Sequence, residues 1–172
     1  MGILCDSQII DLARHHGLVE PFDETLVNPA SIDLRVGTYF RMEMENARRS
    51  TDELWTSPYE LDTGGGYLLQ CGESILLDTL EYVRVPTNVA TQLLLKSSAG
   101  RNGGDVYNAG YADPGFHGTL TFRYRNEMRR PLLITPGMRL VQLVLWEMSK
   151  IPAKPYTMTG RYNGQRGPTP AL

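Results

Sequence analysis

What the chain has little of narrows its chemistry first. In 172 residues there are two cysteines, Cys5 and Cys71, and three histidines, His15, His16 and His117. A tetrahedral zinc site needs such side chains at close, recurring spacings, and these have none. Zinc is therefore not expected. With it goes the zinc-dependent route of nucleobase deamination, which needs a Pro-Cys-x-x-Cys pair and a further His or Cys. The two thiols read as isolated buried groups suited to a reducing compartment. Walker, His-Glu-x-x-His and Gly-x-Ser-x-Gly motifs are missing as well. No apolar run approaches the ~20 residues of a membrane span. An acid, Asp6, interrupts the start before a secretion-signal core develops. The expectation is a cytoplasmic protein with no membrane partner. A net charge of −2 gives no broad positive field, so no nucleic acid is expected and any anion must be held locally.

Long helical stretches are also scarce. Seventeen glycines and eleven prolines fit frequent tight turns, because both residues break helix interiors and set turn dihedrals. One helix is expected, from Asp6 to Gly17, with apolar residues at helical spacing and a terminating glycine. Short apolar runs follow at 32–37, 67–69, 74–77, 82–85, 90–95, 119–124 and 140–146. They predict an all-β core in a β-rich chain with a short N-terminal helix. The polar stretch from Arg41 to Gly66 reads as an insertion between strands. The length suits one domain, 1–152, followed by a Gly/Pro/Arg/Tyr tail, 153–172, able to close over a site.

Three segments carry polar chemistry. Lys96-Ser97-Ser98-Ala99-Gly100-Arg101 follows an apolar strand with cations, hydroxyls and mobile amides; it suits a triphosphate or an ordinary solvated loop. Asp113-Pro114-Gly115 satisfies a type II turn. The strand after it alternates Leu120, Phe122 and Tyr124 with Thr119, Thr121, Arg123 and Arg125, so two arginines share a face. The tail run from Arg161 to Thr169 combines aromatic, amide and cationic groups on a flexible backbone.

Together these segments resemble the dCTP deaminase and trimeric dUTPase superfamily, closest to dCTP deaminase and the bifunctional dCTP deaminase-dUTPase. The resemblance rests on Asn28 to Gly37, Thr79-Leu80-Glu81-Tyr82-Val83, Lys96-Ser97-Ser98 with Arg101, Ala109 to Phe116, and Arg161 to Thr169. It implies a distorted β-barrel of the dUTPase-like β-clip type and a homotrimer with shared active sites. It also implies Mg2+ carried by the triphosphate of dUTP, dCTP or a dTTP-type nucleotide. Lys96, Ser97, Ser98, Arg101 and Arg161 would bind phosphates, and Asp113 would position or activate water. Asn108, Tyr111, Gln142, Tyr156, Tyr162 and Gln165 would enclose the nucleotide.

One position departs from the family. Its catalytic glutamate is Arg123 here, in an alignment fixed by Asp113 to Phe116, Gly118 and Asn126, and the 101–109 loop is one residue short. Three functions follow: a dUTP diphosphatase dependent on Asp113, a zinc-free dCTP deaminase, and a non-catalytic nucleotide-binding homologue. The first is favoured on the residues, because deamination needs a group that takes and returns protons, and a guanidinium does neither near neutral pH.

Overall fold

In the computed structural model, which describes residues 2–44, 54–61, 64–107 and 110–171, the expected helix is α1 (Asp6–His16). Gln8 Oε1 accepts the Cys5 N–H at 3.1 Å, and Gly17 ends the helix at φ 63°. Left-handed backbone at that position favours a residue without Cβ. Ile9 and Ala13, one turn apart, face the core.

The chain continues through β1 (Val19–Glu20), a 3-10 turn (Glu24–Leu26), β2 (Val27–Asn28), β3 (Ser31–Met42), β4 (Tyr59–Glu60) and β5 (Tyr67–Leu69). Then come β6 (Ser74–Arg84), β7 (Val89–Leu95), α2 (Ser97–Arg101), β8 (Gly104–Tyr107), β9 (Tyr111–Ala112) and β10 (His117–Asn126). The last elements are β11 (Leu132–Ile134), β12 (Arg139–Glu147) and α3 (Tyr156–Thr159). The main sheet runs β8-β10-β6-β3-β12-β7-β9, and β5 pairs with β11 in a separate ribbon. All of these pairings are antiparallel. The all-β expectation holds: the fold is β-rich, with the sheet curled around one core. Ile32, Leu34, Ile75, Leu77, Phe122, Val141, Leu143 and Leu145 are at most 1% exposed and fill it.

Three details differ from the sequence reading. The runs at 74–77 and 82–85 are one strand, β6, which is buried on both faces from Ser74 to Thr79 and so shows no alternation to read. Thr119 keeps the face of Thr121 and the arginines but is buried there, against the Asp78 carboxyl of β6 and beside a register shift between Thr119 and Thr121. The cysteines are exposed and free, because Cys5 caps α1 and Cys71 sits in the turn before β6. The expected insertion at 41–66 falls partly on 45–53 and 62–63, outside the described residues; its described part includes β4. Among the described residues no helix is long and apolar enough to cross a membrane.

Candidate functional site

The turn before β10 builds one wall of a cavity. The Phe116 N–H closes on the Asp113 carbonyl at 3.0 Å, and Gly115 stands at φ 91°, as a type II turn requires. Beyond the turn, the tail lies back along β10. The Tyr156 N–H donates to the Pro114 carbonyl at 2.8 Å, and the Phe116 and Tyr156 rings meet at 5.7 Å. Asn163 bridges the two segments, accepting the His117 N–H at 3.1 Å and donating to the Tyr156 carbonyl at 2.8 Å. Gln165 then adds a short parallel rung. Its carbonyl accepts the Thr119 N–H at 3.0 Å, and its amide donates to the Thr119 carbonyl at 2.6 Å.

These contacts enclose about 400 Å³ between Tyr111, Ala112, Asp113, Phe116, Leu120 and Thr121 of the barrel and Tyr156, Tyr162, Gln165, Thr169, Pro170 and Ala171 of the tail. The size and the mix of aromatic wall with few polar groups suit a small organic ligand. Five residues singled out in the sequence meet here: Asp113, Tyr111, Tyr156, Tyr162 and Gln165. Phe116, Thr121, Asn163 and Thr169 also belong to this structure and had no assigned role. Asn163 and Thr169 stand inside the quoted tail motif, while Thr121 carries no sequence signal, because a threonine on a strand is common.

The remaining residues lie elsewhere. Ser97, Ser98 and Arg101 are exposed on α2, after β7. Lys96, just before it, is ion-paired with buried Asp33, and the Asn28 amide donates to the same carboxylate at 2.9 Å. Gln142 stands on β12 between Asp33 and Leu94 and accepts from the Ser31 hydroxyl at 3.3 Å. This second polar group does not line the cavity. Arg161 is exposed on the tail outside it, and Asn108 lies outside the described residues.

Arg123 is engaged away from the cavity. Its Nη2 donates to the Ser74 hydroxyl at 3.0 Å and lies 3.5 Å from a Glu43 carboxylate oxygen. Its guanidinium stands 5.9 Å from the Trp55 ring centre and 5.7 Å from that of Tyr107, within cation–π range. Across the β10–β6 pair, Thr121 faces Asp78, Arg123 faces Leu76 and Arg125 faces Ser74, so these six share one sheet face. Burial pushes the Asp78 carboxyl up to about 6, against the opposing influence of the Thr119 hydroxyl and the Gly167 N–H. No group of three His, Cys, Asp or Glu among the described residues could hold a metal ion.

A family model described as dCTP deaminase-like matches residues 3–148. The chain belongs to this family. It is 39% identical over 163 residues to a protein of Corynebacterium glutamicum (strain R) named dCTP deaminase, dUMP-forming, covering 89% of this chain and 86% of that one. A Mycobacterium avium (strain 104) protein of the same name is 39% identical over 164 residues, covering 89% and 85%. Among solved structures, the 2'-deoxycytidine 5'-triphosphate deaminase of Agrobacterium tumefaciens superposes with a TM-score of 0.68 at 22% identity. That match covers 84% of this chain and 48% of that one, so this chain spans about half its length. It supports the fold of this dCTP deaminase-like chain.

Proposed function

We propose that this protein forms dUMP from a pyrimidine deoxynucleoside triphosphate, with dCTP as substrate in the manner of the relatives named dUMP-forming. The observation that carries the reading is the cavity in which Asp113, Phe116, Tyr156, Tyr162 and Gln165 converge, in a chain 39% identical to such relatives over 89% of its length. Overall, dCTP and two waters would give dUMP, ammonia and pyrophosphate. One water adds at C4 of the base and displaces ammonia; the other attacks the α-phosphorus and displaces pyrophosphate. Tyr111, Phe116 and the tail aromatics would hold base and sugar, and Asp113, exposed at the cavity wall, would take the proton of the water that attacks phosphorus. The expectation from the residues alone put the diphosphatase first; the named relatives support the deaminase alternative better.

The triphosphate would arrive as its magnesium complex. Its charge calls for cations, and within one copy Lys96, Ser97, Ser98 and Arg101 stand apart from the cavity. That separation supports a homotrimer in which α2 of one subunit meets the cavity of another. Light scattering behind size exclusion should give three chain masses; a monomer at micromolar concentration would remove the shared-site arrangement.

A second reading, dUTP diphosphatase, is favoured by Arg123. Where the family has a glutamate, this chain has a group with donors only and no proton to return near neutral pH. Both readings end in dUMP and differ in whether dCTP is accepted. Incubation with dCTP or dUTP and magnesium, followed by chromatography, separates them. The first reading expects dUMP and ammonia from dCTP, the second expects dUMP from dUTP alone, and no turnover of either overturns both.

A further inference from the structure

Asp78 has no part in the chemistry above, yet it is an acid in an enclosed place. It stands on β6, 4% exposed, opposite Thr121 of the cavity wall. On one side β3 passes so close that a Cβ added at Gly37 would lie 2.5 Å from Asp78 Oδ1. On the other, the Gly167 N–H of the tail and the Thr119 hydroxyl are turned toward the carboxyl, and the Thr119 hydroxyl has no other partner among the described residues. An acceptor facing only the barrel would serve packing alone. This one faces the tail, and it does not act singly. Beside the Gly167 N–H, which approaches Asp78, the next two tail residues are hydrogen-bonded to this face: Pro168 through its carbonyl to Arg41 Nε at 2.6 Å, and Thr169 through its N–H to the Thr121 hydroxyl at 3.1 Å. Thr169 itself lines the cavity, and Pro170 and Ala171, which also line it, follow directly.

We propose that Asp78 is a positioning residue that fastens residues 167–169 to the barrel and thereby sets the tail wall of the cavity. Its bearing on nucleotide rests on the reading of that cavity given above.

The fastening carries a pH signature. The charged groups nearby are Arg41 of β3, held by the Pro168 and Thr56 carbonyls, Arg123 of β10, held by Ser74 and Glu43, and Arg166 of the tail, over the Tyr82 ring. None of them governs Asp78; burial does, and raises its carboxyl to about 6. Fastening by this carboxyl requires that the tail supply part of that burial, so that the carboxyl regains water when the tail leaves and falls toward its ordinary range. The docked state therefore binds the proton more tightly, and docking strengthens as pH falls below about 6, by up to tenfold per unit. Above that value docking is level with pH.

Hydrogen exchange of the tail amides, expressed as protection factors from pH 5 to 7.5 without nucleotide, tests the fastening. The wild type should gain about tenfold protection at 167–169 between pH 7 and pH 5. Asp78→Asn, which keeps an acceptor and removes the charge, should show no such dependence and stay near the wild type's low-pH level. Asp78→Ala should lose protection at 167–171 at every pH, while amides of β12 stay as in the wild type. His117 is retained in all three proteins, so the difference isolates Asp78. Unchanged tail protection in Asp78→Ala, or a pH dependence persisting in Asp78→Asn, overturns the proposal. Binding of dCTP and dUTP to Asp78→Ala is measured alongside and should weaken about tenfold. Unchanged binding with a released tail would leave the fastening standing and overturn the nucleotide reading of the cavity.

Discussion

The two halves of β10 hold their surroundings in different ways. From His117 to Thr121 the strand meets the tail largely through backbone groups: the His117 N–H, both polar groups of Thr119, and the Gly164 N–H on the His117 carbonyl. From Arg123 to Arg125 contact is made by side chains, Arg123 with Ser74, Glu43, Trp55 and Tyr107, and Arg125 with Glu127. A main-chain contact survives most substitutions, whereas a side-chain contact changes its chemistry with one. The cavity half of the strand therefore depends little on its own side chains, whereas the arginine half depends on the identity of Arg123, the position at which the resemblance leads one to expect a glutamate.

The largest effect that would sharpen this contrast is at the cavity. Asp113→Asn keeps shape and removes the proton acceptor, so dUMP formation should fall by roughly 10²–10⁴ while nucleotide binding, read by calorimetry, is retained. A variant of undiminished rate would take Asp113 out of the chemistry. Between the halves, Phe122 is 1% exposed in the core, and Phe122→Ala should cost about 3–5 kcal/mol of stability in urea titrations. A loss under 1 kcal/mol would mean that this strand is not packed as described.

Arg123→Glu probes the other half. The substitution restores a carboxylate on the face that carries Thr121, two residues from the cavity wall. Ammonia release from dCTP should rise by on the order of 10², the scale of one positioned proton-transfer group. No change would show that a group at 123 does not reach the base and that the loss of the glutamate is not what limits deamination here.

How much of this was legible beforehand divides along the same line. Alternation placed Phe122 and Tyr124 inward and the two arginines together, and the Asp-Pro-Gly turn was readable because each of its residues has a dihedral reason to be there. The aromatic and amide groups of the tail were legible as a ligand wall only through the family resemblance. The burial of Thr119 was not legible, because the irregular pairing beside it leaves no mark in composition. Asp78 was invisible: it lies in a run of buried residues with no period, and its role depends on Gly37 and Gly167, far away in sequence. The separation of Lys96 and Gln142 from the cavity was equally hidden, since sequence order does not say which strands become neighbours.

The smallest effect concerns how Arg123 is held. Its guanidinium lies between two ring faces, Trp55 and Tyr107, at 5.9 and 5.7 Å from their centres. Tyr107 is 47% exposed, and the Glu43 partner at 3.5 Å is more than half in water, so screening leaves that ion pair little weight. Beside the Ser74 hydrogen bond, the rings then outweigh the ion pair, contributing about 0.5–1 kcal/mol at such a site. A double-mutant cycle separates this from lost packing: Trp55→Leu, Arg123→Met and the pair, each followed by urea unfolding, should give a coupling of about that size that changes little with salt. Replacing Glu43 by Gln should show a smaller coupling that fades as salt is raised. If the Glu43 coupling is the larger, the ion pair holds Arg123, and the arginine half of β10 is an electrostatic contact that loosens at high ionic strength.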